Sequence, residues 1–432
     1  MSAARTGAGA VSGSVTLSLM PGALMEVTVW HEAGRTPRWT AAARIDDAAS
    51  FWTDLVRGAL AGSLGALEDL EVRSGSVRVE LGGVLERGRP VEGEVDLHGL
   101  AVTTGSGALS VGGLDLELPV QLVGSSAGGR APTCRQGTLA FTSLAAAGVS
   151  LPTTSTGLEV CADSVALVQP LIIPVLGGEV ELDGLTGAGL LGSGRRLEAS
   201  VGLRGVSLER LTLALGLPLL AGELSGGFPR VRLDPSTLRV DGRGELELFG
   251  GRLEVFDISG RDVLSRYSRL RFSADWQDID LAQVTSTFDF GEMSGVVAGF
   301  VRDCELYRGV PLSCSAELRS VETEGVPRRV SLKAVNNIAI LGTGSGLGVL
   351  DRGIHRLIDS YRYQALGVRM ELGNDRFLLR GLEERGGAEL FLAGRLPLRL
   401  DVVNVQPGTT VSFSTMLERL SSLDLEAVRT HP

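Results

Sequence analysis

The chain has 432 residues, enough for about two or three ordinary domains or for one long repetitive body. Lys and Arg number 41 against 51 Asp and Glu, and the net charge of −10 is spread without a basic block, which excludes a nucleic-acid phosphate backbone as partner. With 44% hydrophobic residues, 59 Gly and 16 Pro, the composition is that of a folding chain rather than a low-complexity one.

In chain order, the stretch from Met1 to Val15 has Arg5 followed only by small residues and a few valines, without the apolar core of a secretory signal. Later, Val165–Leu176 and Leu211–Leu220 fall short of the ~18–20 apolar residues of a spanning helix and are cut by Pro170, Pro174 and Pro218. Asp47 to Leu67 predicts a helix: Phe51, Leu55, Val56, Leu60, Leu64 and Leu67 recur at helical spacing, with Ser50 as N-cap. The dominant pattern is period-2 alternation interrupted by glycines, which predicts many short antiparallel strands. It is seen at Ser76–Leu81, Glu92–Leu97 and Glu179–Leu182. The clearest case is a hairpin turning at Gly250–Gly251. Leu246, Leu248, Leu253 and Val255 fall on one face, and Glu245, Glu247, Arg252 and Glu254 on the other.

Ser207–Leu215 and Thr415–Leu420 predict short helical turns. Val335–Leu341 predicts a strand leading through the glycine-rich segment 342–348 into a second helix, about 349–363. On that helix Leu350, Ile354, Leu357 and Ile358 form an apolar stripe able to cap one end of a sheet. The result is a mainly β chain with helical plugs. Aromatic residues make up only 5% and no aromatic strand ends the chain, which argues against an outer-membrane barrel and for an open, extended sheet.

Candidate chemistry is sparse. The histidines (His31, His98, His355, His431) are scattered and the cysteines (Cys134, Cys161, Cys304, Cys314) lack CxxC spacing, so neither a metal nor a cofactor is expected. Cys304 and Cys314 lie symmetrically about Gly309, where a hairpin would set them opposite each other at disulfide range. Free buried thiols are the other reading of the same spacing. We expect the disulfide, with Cys134 and Cys161 as a second pair, and hence an oxidising compartment. The glycine-rich loop has neither GxGxxG nor GxxxxGK[ST] spacing. Asp275, Asp278 and Asp280 lack the EF-hand glycine and terminal Glu and read as a solvated turn. No Ser has glycines at both −2 and +2. An enzyme is not expected.

The run Leu215 to Val231, containing Leu217-Pro218-Leu219-Leu220-Ala221-Gly222 and Gly226-Gly227-Phe228-Pro229, leads into the hairpin Glu245 to Val255. With Val330–Gly342 and the glycine loop after it, this run resembles the C-terminal regions of bacterial AsmA-like envelope proteins, the YdbH type in particular. The resemblance covers roughly residues 205 to 415. It implies kinship with bridge-like lipid transfer proteins: an extended, curved antiparallel sheet forming an open apolar groove, taco- or jelly-roll-like, capped by a few short helices. The chain then divides into an N-terminal β-rich segment (1–205) with the helix near 50–67, a β-groove region (206–415) with the helix near 349–363, and a short tail (416–432).

What the resemblance implies for function is phospholipid binding and a part in lipid transport between inner and outer membranes. The setting would be periplasm or cell envelope, with inner-membrane association if an anchor precedes Met1. Leu246, Leu248, Leu253 and Val255 would line the groove, and an envelope protein could join by strand addition at a sheet edge. The alternative is a structural or adhesive β-sandwich or β-helix with a dry core.

Overall fold

A computed structural model of the protein describes residues 2–5, 10–57, 70–86, 91–104, 109–122, 134–146, 149–189, 194–214, 219–263, 265, 267–343, 360–397, 399–405, 407–413 and 415. Strand accounts for 69% and helix for 10%, so the architecture is mainly β: antiparallel sheet, not closed into a barrel, with four short helices among the described residues. The chain forms two compact units, 1–202 with 229–237, and 203–228 with 238–432.

In the first unit, strands Ala10–Met20, Ala23–Glu32, Arg38–Ile45, Leu70–Val84, Val91–Thr104 and Leu109–Leu122 pair antiparallel in chain order. Their register aligns like with like. Met25, Ala43, Val79, Val95 and Leu118 form one cross-strand row, and Ala23, Ile45, Val77, Leu97 and Leu116 another. One residue over, Arg44, Arg78, Asp96 and Glu117 form a row on the opposite face. Because side chains alternate with period 2, this register makes one face apolar and the other charged.

The strands are longer than predicted. Leu70–Val84 has 15 residues, about 50 Å at the usual rise per residue. Several glycines that read as turns in the sequence are bulges inside continuous strands. Gly99 and Gly113, each at φ +58, sit where the pairing slips by a residue. Gly75 lies so close to the neighbouring strand that a Cβ there would stand 2.6 Å from Leu100 Cα.

The second unit repeats the scheme. Strands Gly251–Arg261, Arg269–Asp280, Val296–Tyr307, Val310–Val321, Ser360–Gly373 and Arg376–Gly381 are antiparallel neighbours. Val255, Ala274, Val301, Ala316, Met370 and Leu379 form an apolar row, and Glu254, Asp275, Phe300, Glu317, Arg369 and Arg380 run beside it on the other face. The hairpin before them turns one residue earlier than predicted, at Phe249–Gly250 (φ +51 and +72). Gly251 already belongs to the ladder and lies against the Gln277 carbonyl.

Helix α1 (Ala48–Phe51) continues as a π-helical turn over Trp52–Val56, so the predicted helix is present as far as it is described; 58–69 lie outside the described residues. Its N-cap is Asp47, not Ser50: the Asp47 carboxylate accepts from Ala49 N–H, Ser50 N–H and the Ser50 hydroxyl. These bonds, the Ser50 hydroxyl foremost, hold its pKa below the usual value. Helix α2 (Leu208–Ala214) falls on the predicted turn, and α3 (Leu281–Thr287) follows directly on a strand and is capped by Asp280.

Helix α4 (Leu332–Thr343) occupies the segment predicted as a strand. A short segment that is apolar apart from Asn336 and Asn337 fits a buried helix as well as a strand. Here Ser331 caps the first turn, and Ala334, Val335 and Ala339, at most 3% exposed, share one buried face. The predicted helix at 349–363 lies mostly among residues outside the description. Its last four, 360–363, open the strand Ser360–Gly373, where Tyr361 pairs with Val330 and Tyr363 with Gly394.

Helix α4 is therefore the plug. With Ile279, Leu281, Met293, Val330, Tyr363 and Leu392 it encloses the larger of two buried apolar clusters among the described residues, both in the second unit. Leu392→Ala, at a site with no exposure, is expected to cost about 2–5 kcal/mol in the unfolding transition of that unit. Leu118→Ala, on the partly accessible face of the first unit, is expected to cost less than half as much. Equal losses in denaturant titrations would mean that the two faces are equally buried.

Candidate functional site

The four residues predicted to line a groove, Leu246, Leu248, Leu253 and Val255, are all half-buried, and Leu253 and Val255 pair with Trp276 and Ala274 on the same face. Trp276 lies flat against Gly299, where a Cβ would come within 2.5 Å of the indole ring. The glycine thus makes room for a wide aromatic surface on this face. Charges stay opposite. Arg243 pairs with Glu254 at 2.8 Å, Arg302 bonds Asp275 and stands 4.7 Å from the Phe300 ring centroid, and Arg369 bonds Glu317.

Reasoning from the hairpin alone missed the longer apolar surface, which is in the first unit. Met25, Val27, Val29, Val79, Leu81, Val95, Leu97, Leu116 and Leu118 are half-buried, while alternating Arg44, Arg78, Glu80, Glu94 and Glu117 are exposed. At the first long strand Val11 and Leu17 are 52% and 50% exposed. In a sandwich the inner side chains of central strands are covered by a second sheet about 10 Å away. Here the nine half-buried side chains just named keep accessible surface, while Ala23 and Ile45 of the same face are buried. The signal that finds this face is the register, since single strands of alternating pattern do not say which rows line up.

The cysteine pairing is reversed from expectation in rank. Cys134 and Cys161 form a disulfide between directly paired strand residues, with Cα atoms 4.3 Å apart. Cys304 and Cys314 are free thiols, which corrects the predicted bridge. The hairpin does form, but its turn is Arg308–Gly309 and the pairing slips twice between Arg302 and Leu306, around Asp303 at φ +50. The slips leave Cys304 in an irregular segment, hydrogen-bonded to Cys314 rather than bridged. Burial first, then the Cys304 thiol beside it, pushes the Cys314 pKa up to about 12. The nearest metal-like grouping, Cys134, Cys161 and Glu159, has its sulfurs tied up in the disulfide.

Other sequence candidates resolve structurally. The predicted solvated turn at Asp275–Asp280 is the end of a strand: Asp275 is ion-paired, Asp278 sits at φ +58 in a bulge, and Asp280 caps α3. Glycines 344, 346 and 348 lie outside the described residues.

No protein family, curated protein or solved structure matches the chain.

Peptide mapping of non-reduced protein is expected to find Cys134 joined to Cys161. Iodoacetamide at neutral pH is expected to reach Cys304 and Cys314 only after unfolding, because Cys304 is buried and the Cys314 thiol, its pKa raised, is a poor nucleophile. A 304–314 bridge, or rapid native labelling of Cys314, would contradict this assignment.

Proposed function

We propose that the protein is a non-enzymatic envelope protein that holds phospholipid acyl chains against the apolar faces of its sheets and takes part in lipid transport between inner and outer membranes. The observation that carries this reading is the half-open apolar face running through successive strands with no charged residue in its rows. Apolar area is driven to leave water at roughly 25 cal/mol per Å². An acyl chain of ~12 methylenes, at ~0.8 kcal/mol each, gains about 10 kcal/mol from full burial without any hydrogen bond. Such a face binds any chain of suitable length and lets it slide.

Periplasmic location is supported by the Cys134–Cys161 disulfide, since such bonds persist in oxidising compartments. No helix among the described residues is long and apolar enough to cross a membrane. The resemblance to AsmA-like proteins of the YdbH type points the same way, and strand addition at a sheet edge would be the mode for an envelope partner. One observation favours the structural alternative locally: the cluster around α4 is a dry core.

Photocrosslinking residues at Leu81, Leu97 and Leu246 are expected to capture phospholipid in cells, and ones at Arg78 and Glu94, on the opposite face, are not. Val79→Asp is expected to cut capture at Leu81 and Leu97 several-fold while the protein stays folded, because a chain lying there must desolvate a carboxylate or leave the wall. Capture on both faces alike, or on neither, would send the reading back to a structural protein.

A further inference from the structure

The apolar faces offer nothing for a polar headgroup, but a cavity of about 690 Å³ in the second unit does. Its walls include Leu248 and Phe249 at the hairpin tip, with Glu247, Arg252, Asp278 and Gln283 around them. Asp278 is there because the pairing slips between Trp276 and Ile279 and the bulge turns it out of the ladder at φ +58. Bulges re-aim side chains in this way.

Glu247 and Arg252 belong to the outer face of the hairpin, at its tip, but they differ from the other charges of that face. There Arg243, Arg269, Arg271, Arg302 and Arg369 are each joined to a carboxylate. Glu247, Arg252 and Asp278 are exposed, and none of them makes an ion pair with a described residue. One cation and two anions around one cavity complement a ligand carrying both signs. Phe288, 48% exposed, meets Phe249 edge-on at 6.4 Å and adds apolar surface beside the hairpin tip.

We propose that this cavity binds a zwitterionic phosphodiester headgroup of the phosphoethanolamine type. The phosphate is held by the Arg252 guanidinium, the ammonium lies between Glu247 and Asp278, and the acyl chain rounds the hairpin tip at Phe249 to reach Leu248 and the apolar face on the other side. The site rests on the acyl-chain reading above and adds to it a selectivity that the apolar faces alone lack. A purely anionic lipid with a polyol head would leave both carboxylates facing it unpaired, which disfavours it.

The test is lipid exchange from vesicles of equimolar phosphatidylethanolamine and phosphatidylglycerol with matched chains, followed by re-isolation of the full chain and mass spectrometry of the bound lipid. Wild type is expected to be enriched about threefold or more in the ethanolamine lipid. Arg252→Ala and the double variant Glu247→Gln, Asp278→Asn are expected to return the ratio to one with total bound lipid unchanged. A wild-type ratio of one, or enrichment that survives both variants, overturns the headgroup site and leaves the acyl groove standing. Absence of any bound lipid overturns the groove reading and the site with it. Soluble glycerophosphoethanolamine at millimolar concentration is expected to give no calorimetric signal. Arg252-dependent binding of that solute as tight as the lipid's would assign the cavity to a soluble ligand and overturn the lipid assignment.

Discussion

A hydrogen-bonded antiparallel ladder commits every second side chain to one face, and in this protein the register lines those commitments up strand after strand. The row Met25, Ala43, Val79, Val95, Leu118 and the row Val255, Ala274, Val301, Ala316, Met370, Leu379 are both apolar from end to end. A slip of one residue, in one direction or the other, would put a charged residue into the row from any of these strands. The fold is thus a device for assembling apolar surface, and the remaining features answer the question of what covers it.

Two answers coexist. In the second unit, part of the surface is covered by the protein itself: α4 lays Ala334, Val335 and Ala339 onto the sheet, and Tyr363, fully buried, donates from its hydroxyl to the Ser294 carbonyl. Burial pushes the Tyr363 pKa up to about 12, so the hydroxyl remains a donor at any physiological pH. In the first unit the row from Met25 to Leu118 keeps accessible surface at every position. Leaving that much hydrocarbon half-wet is costly. Acyl chains relieve the cost with the one chemistry that asks for no fixed partner.

The sequence made the architecture legible because period-2 alternation survives in the long central strands, and Glu247 opposite Leu248 is as plain in one dimension as in three. It concealed three things for physical reasons. Gly99 and Gly113 look like turns, but a glycine at positive φ serves a bulge equally well, so strand length was underestimated. Val335–Leu341 is apolar apart from Asn336 and Asn337, a pattern that either element can carry, and the small residues Ala334 and Ala339 allow the close approach of a helix to the sheet. Cys304 and Cys314 were placed on facing strands correctly, but Asp303 at φ +50 breaks the register that a disulfide needs. The candidate site was read from one hairpin, whereas the apolar face is a property of how many strands align.

Native mass spectrometry of the full chain, released from a Gram-negative periplasm under conditions that retain lipid, tests the central claim most directly. Several phospholipids of mixed chain length on each protein are expected, as an open apolar face with no fixed partner requires. A bare protein whose mass equals that of the polypeptide would show that the face is satisfied without lipid, and would contradict the account.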